Sequence, residues 1–309
     1  MITSVFKKST PLNFSLVVFL ILVFFLIFQT QDLAWTESVV LIFEKAGLLS
    51  ILLASVFITN FISKKNGLSK DSSYTILFYL LFLLFFPSIL DNTNLILSNF
   101  FVLLALRRLI SLHSLKASKE KIFDASLWIF IASLFHFWCI LYIVLVFISI
   151  IFHVSRDYRN WILPFIAFIA VGVIFALSSI LFNLSAIEYI NRSVETNFEI
   201  SYFTNNYQNG ALSIYATVAL FFVVSMFATL SSRPLVLHTS FKKIIASFFI
   251  GVLIFLVSSN KSNDLLVFTM APLAMMATSH IEMTQPKLKQ ELVLGVLIAC
   301  SLFAFFSQL

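Results

Sequence analysis

Three acidic side chains lie in short polar segments between long apolar runs of this sequence. They are Asp32 and Glu37 in one segment and Asp91 in another. A carboxylate in such a place can act as a general base or lie beside a metal ion. Carboxylates also keep exposed loops hydrated, so each is a weak signal alone. We take Asp32 and Glu37 as candidate bases.

His136 is a third candidate catalytic residue. It lies near the middle of the apolar stretch Ala125–His153. A titratable ring inside a membrane is a functional candidate by default. Its neighbours Phe135, Phe137 and Trp138 are equally typical of an aromatic belt at a membrane surface. Both interpretations stay open at the level of sequence.

The candidate binding residues form two sets. Three cations outside the basic segments would hold a lipid phosphate as point charges, and a polar aromatic stretch is suited to a sugar or a headgroup. The alternative for the second set is that the segment 183–210 forms an amphipathic interfacial helix with a capping loop. The two sets are Lys45, Arg192 and Lys261, and Tyr202, Asn205 and Tyr207.

A basic segment from Arg107 to Asp124 carries five positive and two negative residues. Arg107, Arg108 and Lys116 are therefore candidates for binding anionic lipid headgroups. The alternative is the positive-inside bias of cytoplasmic loops, with the two arginines anchoring a helix end at the membrane surface.

Motifs for metal or cofactor chemistry are missing from the sequence. It has no glycine-rich phosphate loop, no His/Glu metal spacing, no serine elbow and no Asp-x-Asp pair. Cys139 and Cys300 both lie inside apolar runs and lack the spacing of a metal site. We expect neither a metal nor a cofactor.

The composition indicates an integral membrane protein. Of its 309 residues, 60% are hydrophobic and 11% are charged, whereas soluble proteins average about 45–50% and about 25%. Most of the apolar runs are long enough to cross about 30 Å of hydrocarbon. We predict an all-α transmembrane helix bundle of about 10–11 membrane segments, forming one domain over residues 1–309. The apolar runs are Leu12–Phe28, Ala46–Ser63, Tyr74–Leu90, Leu95–Ile110, Ala125–His153, Trp161–Phe182, Ala211–Leu230, Ile244–Val257, Leu265–Ile281 and Leu292–Leu309.

The stretch Ala125–His153 decides the sidedness of the chain. If it folds back near Phe135 to Trp138, 17 of the 20 lysines and arginines lie on one side, and only Lys45, Arg192 and Lys261 lie on the other. If it crosses once, the division becomes 12 to 8. Because cytoplasmic loops retain positive charge, we predict a short broken hairpin over 125–153 and a cytoplasmic N-terminus. Its tip must be shielded by protein or line a wet cavity.

The middle of the chain resembles the membrane-embedded glycosyltransferases of the GT-C type. The resembling residues are Phe85, Phe86, Pro87 and Ser88 through Asp91, the span that ends Leu104, Ala105, Leu106, Arg107, Arg108, and the stretch from Ala125 to Phe137. The resemblance implies a polyprenyl-phosphate sugar as substrate at the outer face and a catalytic Asp or Glu in the first outer loop. That loop holds Asp32 and Glu37 here. The segments around Leu106–Arg108 and Ile122–Ala125 also resemble an uncharacterised family of polytopic bacterial inner-membrane proteins.

Two functions follow as hypotheses. The first is a cell-envelope protein of the bacterial inner membrane that binds or processes a lipid-linked glycan, or its polyprenyl-phosphate carrier, at the outer face. The alternative is a non-catalytic scaffold subunit of an envelope assembly or export complex. A transporter is disfavoured, because the spans contain almost no acidic residues. The expected partners are membrane lipids, the glycan and an envelope protein, and no nucleic acid.

Overall fold

The computed structural model describes residues 2–182, 185, 188–190, 194–197, 206–259, 261–283 and 286–309. The described part consists of helices and their short connections, apart from one isolated bridge between Thr196 and Ser258. Short 3-10 turns join or extend several helices. The α-helices described here are α1 Ile2–Phe6, α2 Pro11–Gln29, α3 Val39–Lys65, α4 Tyr74–Leu83, α5 Thr93–Ile110, α6 Ser118–Phe135, α7 Ile143–His153, α8 Arg159–Leu181, α9 Asn206–Thr229, α10 Leu235–Val257, α11 Val267–Ile281 and α12 Lys287–Ser307.

The described helices include eight that are long and apolar enough to cross a membrane. Tyr74–Leu83 and Phe137–His153 are shorter apolar helical segments. With α6, whose first turns are charged, they bring the described membrane segments to eleven. The prediction of a multi-pass helix bundle is confirmed.

The two ends of the bundle differ in charge, because basic residues gather at one of them, where Lys65 and Arg107 both lie over the ring of Phe61. At one end, which we call the basic end, Lys64 lies 3.2 Å from Asp71, and the backbone N–H of Lys70 donates to Glu282 at 2.7 Å. At the other end, the opposite end, Gln29 donates to the carbonyl of Leu90 and Gln308 to that of Phe85. Consecutive segments alternate between these ends.

The hairpin prediction is confirmed. Helix α6 ends at Phe135, His136 is extended with φ −142° and ψ 106°, and a 3-10 turn over Phe137–Tyr142 leads into α7. Lys119, in the first turn of α6, places its Nζ 3.1 Å from Oδ2 of Asp157, which lies just after α7, so both ends of the hairpin are at the basic end. The predicted boundary is corrected, because the first leg begins at Ser118 rather than Ala125. It is therefore a full helix of 18 residues, and only the second leg is short.

The centre of the bundle is formed by α4 and by the segment Asn263–Ile281, which consists of a 3-10 turn followed by α11. All ten residues of α4 are buried. Rings from α4 and α9 pack edge to face, as in the pair Phe78 and Phe222 at 5.9 Å. Helix α8 lies at the periphery, held mainly by the hairpin.

Candidate functional site

A cavity of about 810 Å³ lies at the opposite end of the bundle, where the hairpin breaks. One wall is the tip of the hairpin, a second is the end of α8, and a third is the segment that joins α10 to α11. This volume is within the range of small-molecule sites, about 300–1,000 Å³. Its polar lining consists mainly of hydroxyl and amide groups, from Asn92, Asn94, Ser178, Ser179, Ser185, Ser258, Ser259 and Ser262, together with His136, Glu188 and Tyr189.

His136 is held in this wall by α10 and α11. Its ring stacks on Phe268 at 5.7 Å, and its Nε2 lies 3.2 Å from Ser258 Oγ. The single hydroxyl hydrogen of Ser258 is already donated to the carbonyl of Ile254 at 2.8 Å. With that hydroxyl hydrogen assigned to Ile254, Nε2 of His136 carries the ring proton and donates it to Ser258, and Nδ1 is left as an acceptor.

Trp138, two residues after His136, supplies a hydrogen-bond donor. Trp138 lines the cavity, and its indole N–H is buried without a hydrogen-bond partner in the described part of the chain. A buried indole N–H normally has a partner. The hairpin break thus places an acceptor at His136 and a buried, unsatisfied donor at Trp138 in the same wall of the cavity. A hydroxyl group that reaches both would satisfy them.

The break between α6 and the 3-10 turn is the reason that His136 and Trp138 border the same cavity. The ring of Phe135 stacks on Phe101 at 5.7 Å and Trp128 stacks on the same ring at 5.6 Å, which fixes the end of α6 against α5. Cys139 N then donates to the carbonyl of His136 at 3.0 Å, closing the turn. The consequence is that His136 and Trp138, which a continuous helix would place on different faces, both border the cavity.

Asp264 lies behind the cavity wall and was not singled out from the sequence. Its carboxylate is buried and accepts hydrogen bonds from Ser88, Asn92 and Ser262. Asn92 and Ser262 also line the cavity, so Asp264 fixes two of its polar groups. The signal available in the sequence was a carboxylate next to the start of the apolar run Leu265–Ile281.

The candidate bases Asp32 and Glu37 lie elsewhere at the opposite end. Both side chains are exposed in the connection between α2 and α3, and neither lines the cavity. Lys45 forms an ion pair with Asp91, which ties α3 to the turn after α4. The structure therefore does not bring these residues together with His136.

The other predicted binding residues lie in different environments. Lys261 is 8% exposed and donates from Nζ to the carbonyl of Asn197, whereas Tyr207 is exposed at the start of α9. Arg192, Tyr202 and Asn205 lie outside the described residues, as does most of the predicted interfacial helix.

The predicted headgroup residues are at the basic end. The guanidinium of Arg107 lies over the ring of Phe61 at 4.8 Å, and Arg108 Nη2 lies 2.8 Å from Asp124 Oδ2. Lys116 is exposed. The cavity at the opposite end is not lined by any of them. Within the described residues, no three His, Cys, Asp or Glu side chains form a group that could hold a metal ion.

Comparison with known proteins identifies a family. The model of a family of unknown function, DUF6427, matches residues 1–309. The chain belongs to DUF6427. No curated protein and no solved structure matches this DUF6427 chain. The predicted resemblance to an uncharacterised membrane family agrees with this result.

Proposed function

We propose that this DUF6427 protein binds the sugar headgroup of a lipid-linked glycan in the cavity at the opposite end of the bundle. The supporting observation is the polar pair at the hairpin break, His136 Nδ1 as acceptor and Trp138 Nε1 as unsatisfied donor. Sugars present many hydroxyl groups that both donate and accept, and they stack on aromatic rings. A wall rich in serine and asparagine with Phe135, Phe137 and Trp138 suits them.

Charge favours the sugar over the phosphate as the part recognised here. The described lining contains no lysine or arginine, and its one carboxylate, Glu188, would repel an anion. Lys261, close in sequence to Ser259 and Ser262, is the proposed partner of the carrier phosphate. Asp32 and Glu37 remain the proposed bases if sugar transfer occurs.

The proposed orientation in the membrane follows from the distribution of charge. The basic end faces the cytoplasm, as the positive-inside rule expects, so the cavity lies at the outer face of a bacterial inner membrane. The GT-C-like order of spans supports the same proposal, because those enzymes use polyprenyl-phosphate sugars at that face.

The test is a binding measurement on the purified full chain in detergent. A polyprenyl-phosphate hexose is compared with the same polyprenyl phosphate without sugar. His136→Phe keeps a ring against Phe268 and removes the acceptor, and His238→Phe at the basic end is the matched control. We expect the sugar-bearing lipid to bind better, and His136→Phe to weaken its binding by about tenfold, corresponding to one hydrogen bond of about 1.4 kcal/mol.

Two outcomes would contradict the proposal. One is equal affinity for the two lipids. The other is an equal effect of the two histidine variants. A further variant, Asp32→Asn with Glu37→Gln, separates transfer from binding, because it is expected to abolish a glycan-dependent phenotype while the affinity for the lipid is retained.

A further inference from the structure

A second cavity, of about 710 Å³, lies at the basic end of the bundle. It is formed where the two ends of the hairpin meet the start of α8. Residues 117–120 line one side, and residues 151–157 with Asn160 line the other. The sequence prediction of headgroup binding concerned other residues, Arg107, Arg108 and Lys116, and none of these lines it.

One wall carries an uncapped helix N-terminus. Ala117, which precedes α6, has a left-handed backbone with φ 51° and gives no side-chain cap. The first backbone hydrogen bond of this end runs from Lys121 N to Ala117 O at 3.1 Å. The N–H groups of Ser118, Lys119 and Glu120 therefore lack intrahelical acceptors, and such an end attracts an anion such as phosphate.

The other wall carries an unsatisfied acceptor. Asn160 is 3% exposed and lines the cavity. Its Nδ2 donates to the carbonyl of Val154 at 2.9 Å, which fixes the orientation of the amide. Its Oδ1 is buried without a partner in the described chain. An orphaned acceptor of this kind can take an N–H or O–H donor, and the described residues do not supply one.

The charges of the lining cancel. Lys119 and Arg156 are positive, and Glu120 and Asp157 are negative. Lys119 and Asp157 pair with each other at 3.1 Å, whereas the described residues give no ion pair to Arg156 or Glu120. A ligand that matches this lining carries one negatively charged group and one positively charged group. The positive group must also have an N–H hydrogen that it can donate.

The rim indicates where such a ligand comes from. Ile151 and Phe152 line the same cavity, and they are 56% and 39% exposed on the short apolar leg α7. In a bilayer these exposed apolar side chains would border lipid, so acyl chains could lie against them while a headgroup enters the cavity.

We propose that the basic-end cavity binds a phospholipid whose headgroup is a phosphate ester of ethanolamine. The phosphate lies at the N–H groups of α6 with Arg156, and the ammonium donates to Asn160 Oδ1 and Glu120. This site is independent of the cavity at the opposite end.

The experiment is native mass spectrometry of the full chain titrated with three lipids of identical acyl chains. Phosphatidylethanolamine has both charges and ammonium hydrogens. Phosphatidylcholine has both charges and no such hydrogens, and phosphatidylglycerol has only the negative charge. We expect phosphatidylethanolamine to be retained at least about tenfold better than either. Equal retention of phosphatidylcholine, or preference for phosphatidylglycerol, overturns the proposal.

Variants and a soluble competitor complete the test. Glu120→Gln, on an exposed side chain, should reduce the preference severalfold, and Glu44→Gln at the opposite end, also exposed, should leave it unchanged. Equal effects of the two variants overturn the assignment. Glycerophosphoethanolamine carries the same headgroup without acyl chains. Weak competition by it supports a lipid source, and competition equal to that of the lipid overturns that source.

Discussion

Two membrane segments of this protein show opposite relations between apolarity and burial. The segment Asn263–Ile281 is the less apolar by hydropathy, yet 89% of it is buried, whereas the more apolar helix Arg159–Leu181 is only 17% buried. In water the more apolar segment would be the inner one. In lipid there is little hydrophobic drive between helices, so polar groups that bond to one another occupy the centre.

The two segments also differ in what they contribute, the buried one to stability and the peripheral one to the proposed binding sites. The buried segment forms hydrogen bonds to neighbouring helices, as between Tyr215 on α9 and Thr269 on α11 at 2.6 Å. The peripheral helix α8 instead supplies Ser178 and Ser179 to one cavity and Asn160 to the other. Both proposed sites lie where the packing is lightest, and substitutions in the two regions should affect different measurements.

The largest expected effect is at Gly251, which packs against the buried segment. A Cβ there would meet Thr269 Cγ2 at 2.8 Å and Phe268 O at 3.1 Å, whereas one at Gly172 on α8 would meet nothing within 4 Å. We expect Gly251→Ala to destabilise the protein by about 1–3 kcal/mol, and Gly172→Ala to leave its stability unchanged or slightly raised, since alanine favours a helix. Thermal unfolding in detergent measures both. Equal changes in stability for the two variants would contradict the view that the centre is tightly packed and α8 is not.

A smaller effect is expected at Tyr215. The hydroxyl hydrogen of Thr269 is donated to Leu266 O at 2.6 Å, so Tyr215 is the donor to Thr269. Tyr215→Phe should therefore cost about 0.5–1.5 kcal/mol of stability. Tyr158→Phe, at an exposed residue just before α8, is the control and should cost nothing measurable. A silent Tyr215→Phe would show that this buried hydrogen bond does not stabilise the centre.

The smallest effect is a pH dependence at the basic end of α8. The backbone N–H of Arg159, followed by Lys119, lowers the pKa of Asp157. A carboxyl whose folded-state pKa is depressed stabilises the protein above its unfolded pKa of about 3.9, and that stability is lost as the pH falls through the folded value. Asp157→Asn should thus reduce the loss of stability on acidification, by a small amount because solvent screens an exposed group. Parallel unfolding curves from pH 6 down to pH 3 would show it, and an unchanged acid response would contradict it.

The break at the hairpin tip illustrates how far sequence reasoning reached. The distribution of lysine and arginine predicted that Ala125–His153 folds back, and its length placed the break at Phe135 to Trp138. Both predictions are confirmed. The start of the first leg was wrong by seven residues, because Lys119, Glu120 and Lys121 made its first turns appear to be a loop.

The sequence by itself determined the membrane class, the order of the segments and the fold-back, because hydropathy and charge act through the membrane one residue at a time. Only the tertiary structure decided the partners: Ser258 for His136, Ser88 for Asp264, and the carbonyl of Leu109 for the buried Lys243. The two residues of each pair are 122, 176 and 134 residues apart in the sequence, in the same order. Pairings of this kind depend on how each helix is rotated about its axis. In lipid, apolar side chains cover both the inner and the outer faces, so no periodicity in the sequence marks that rotation.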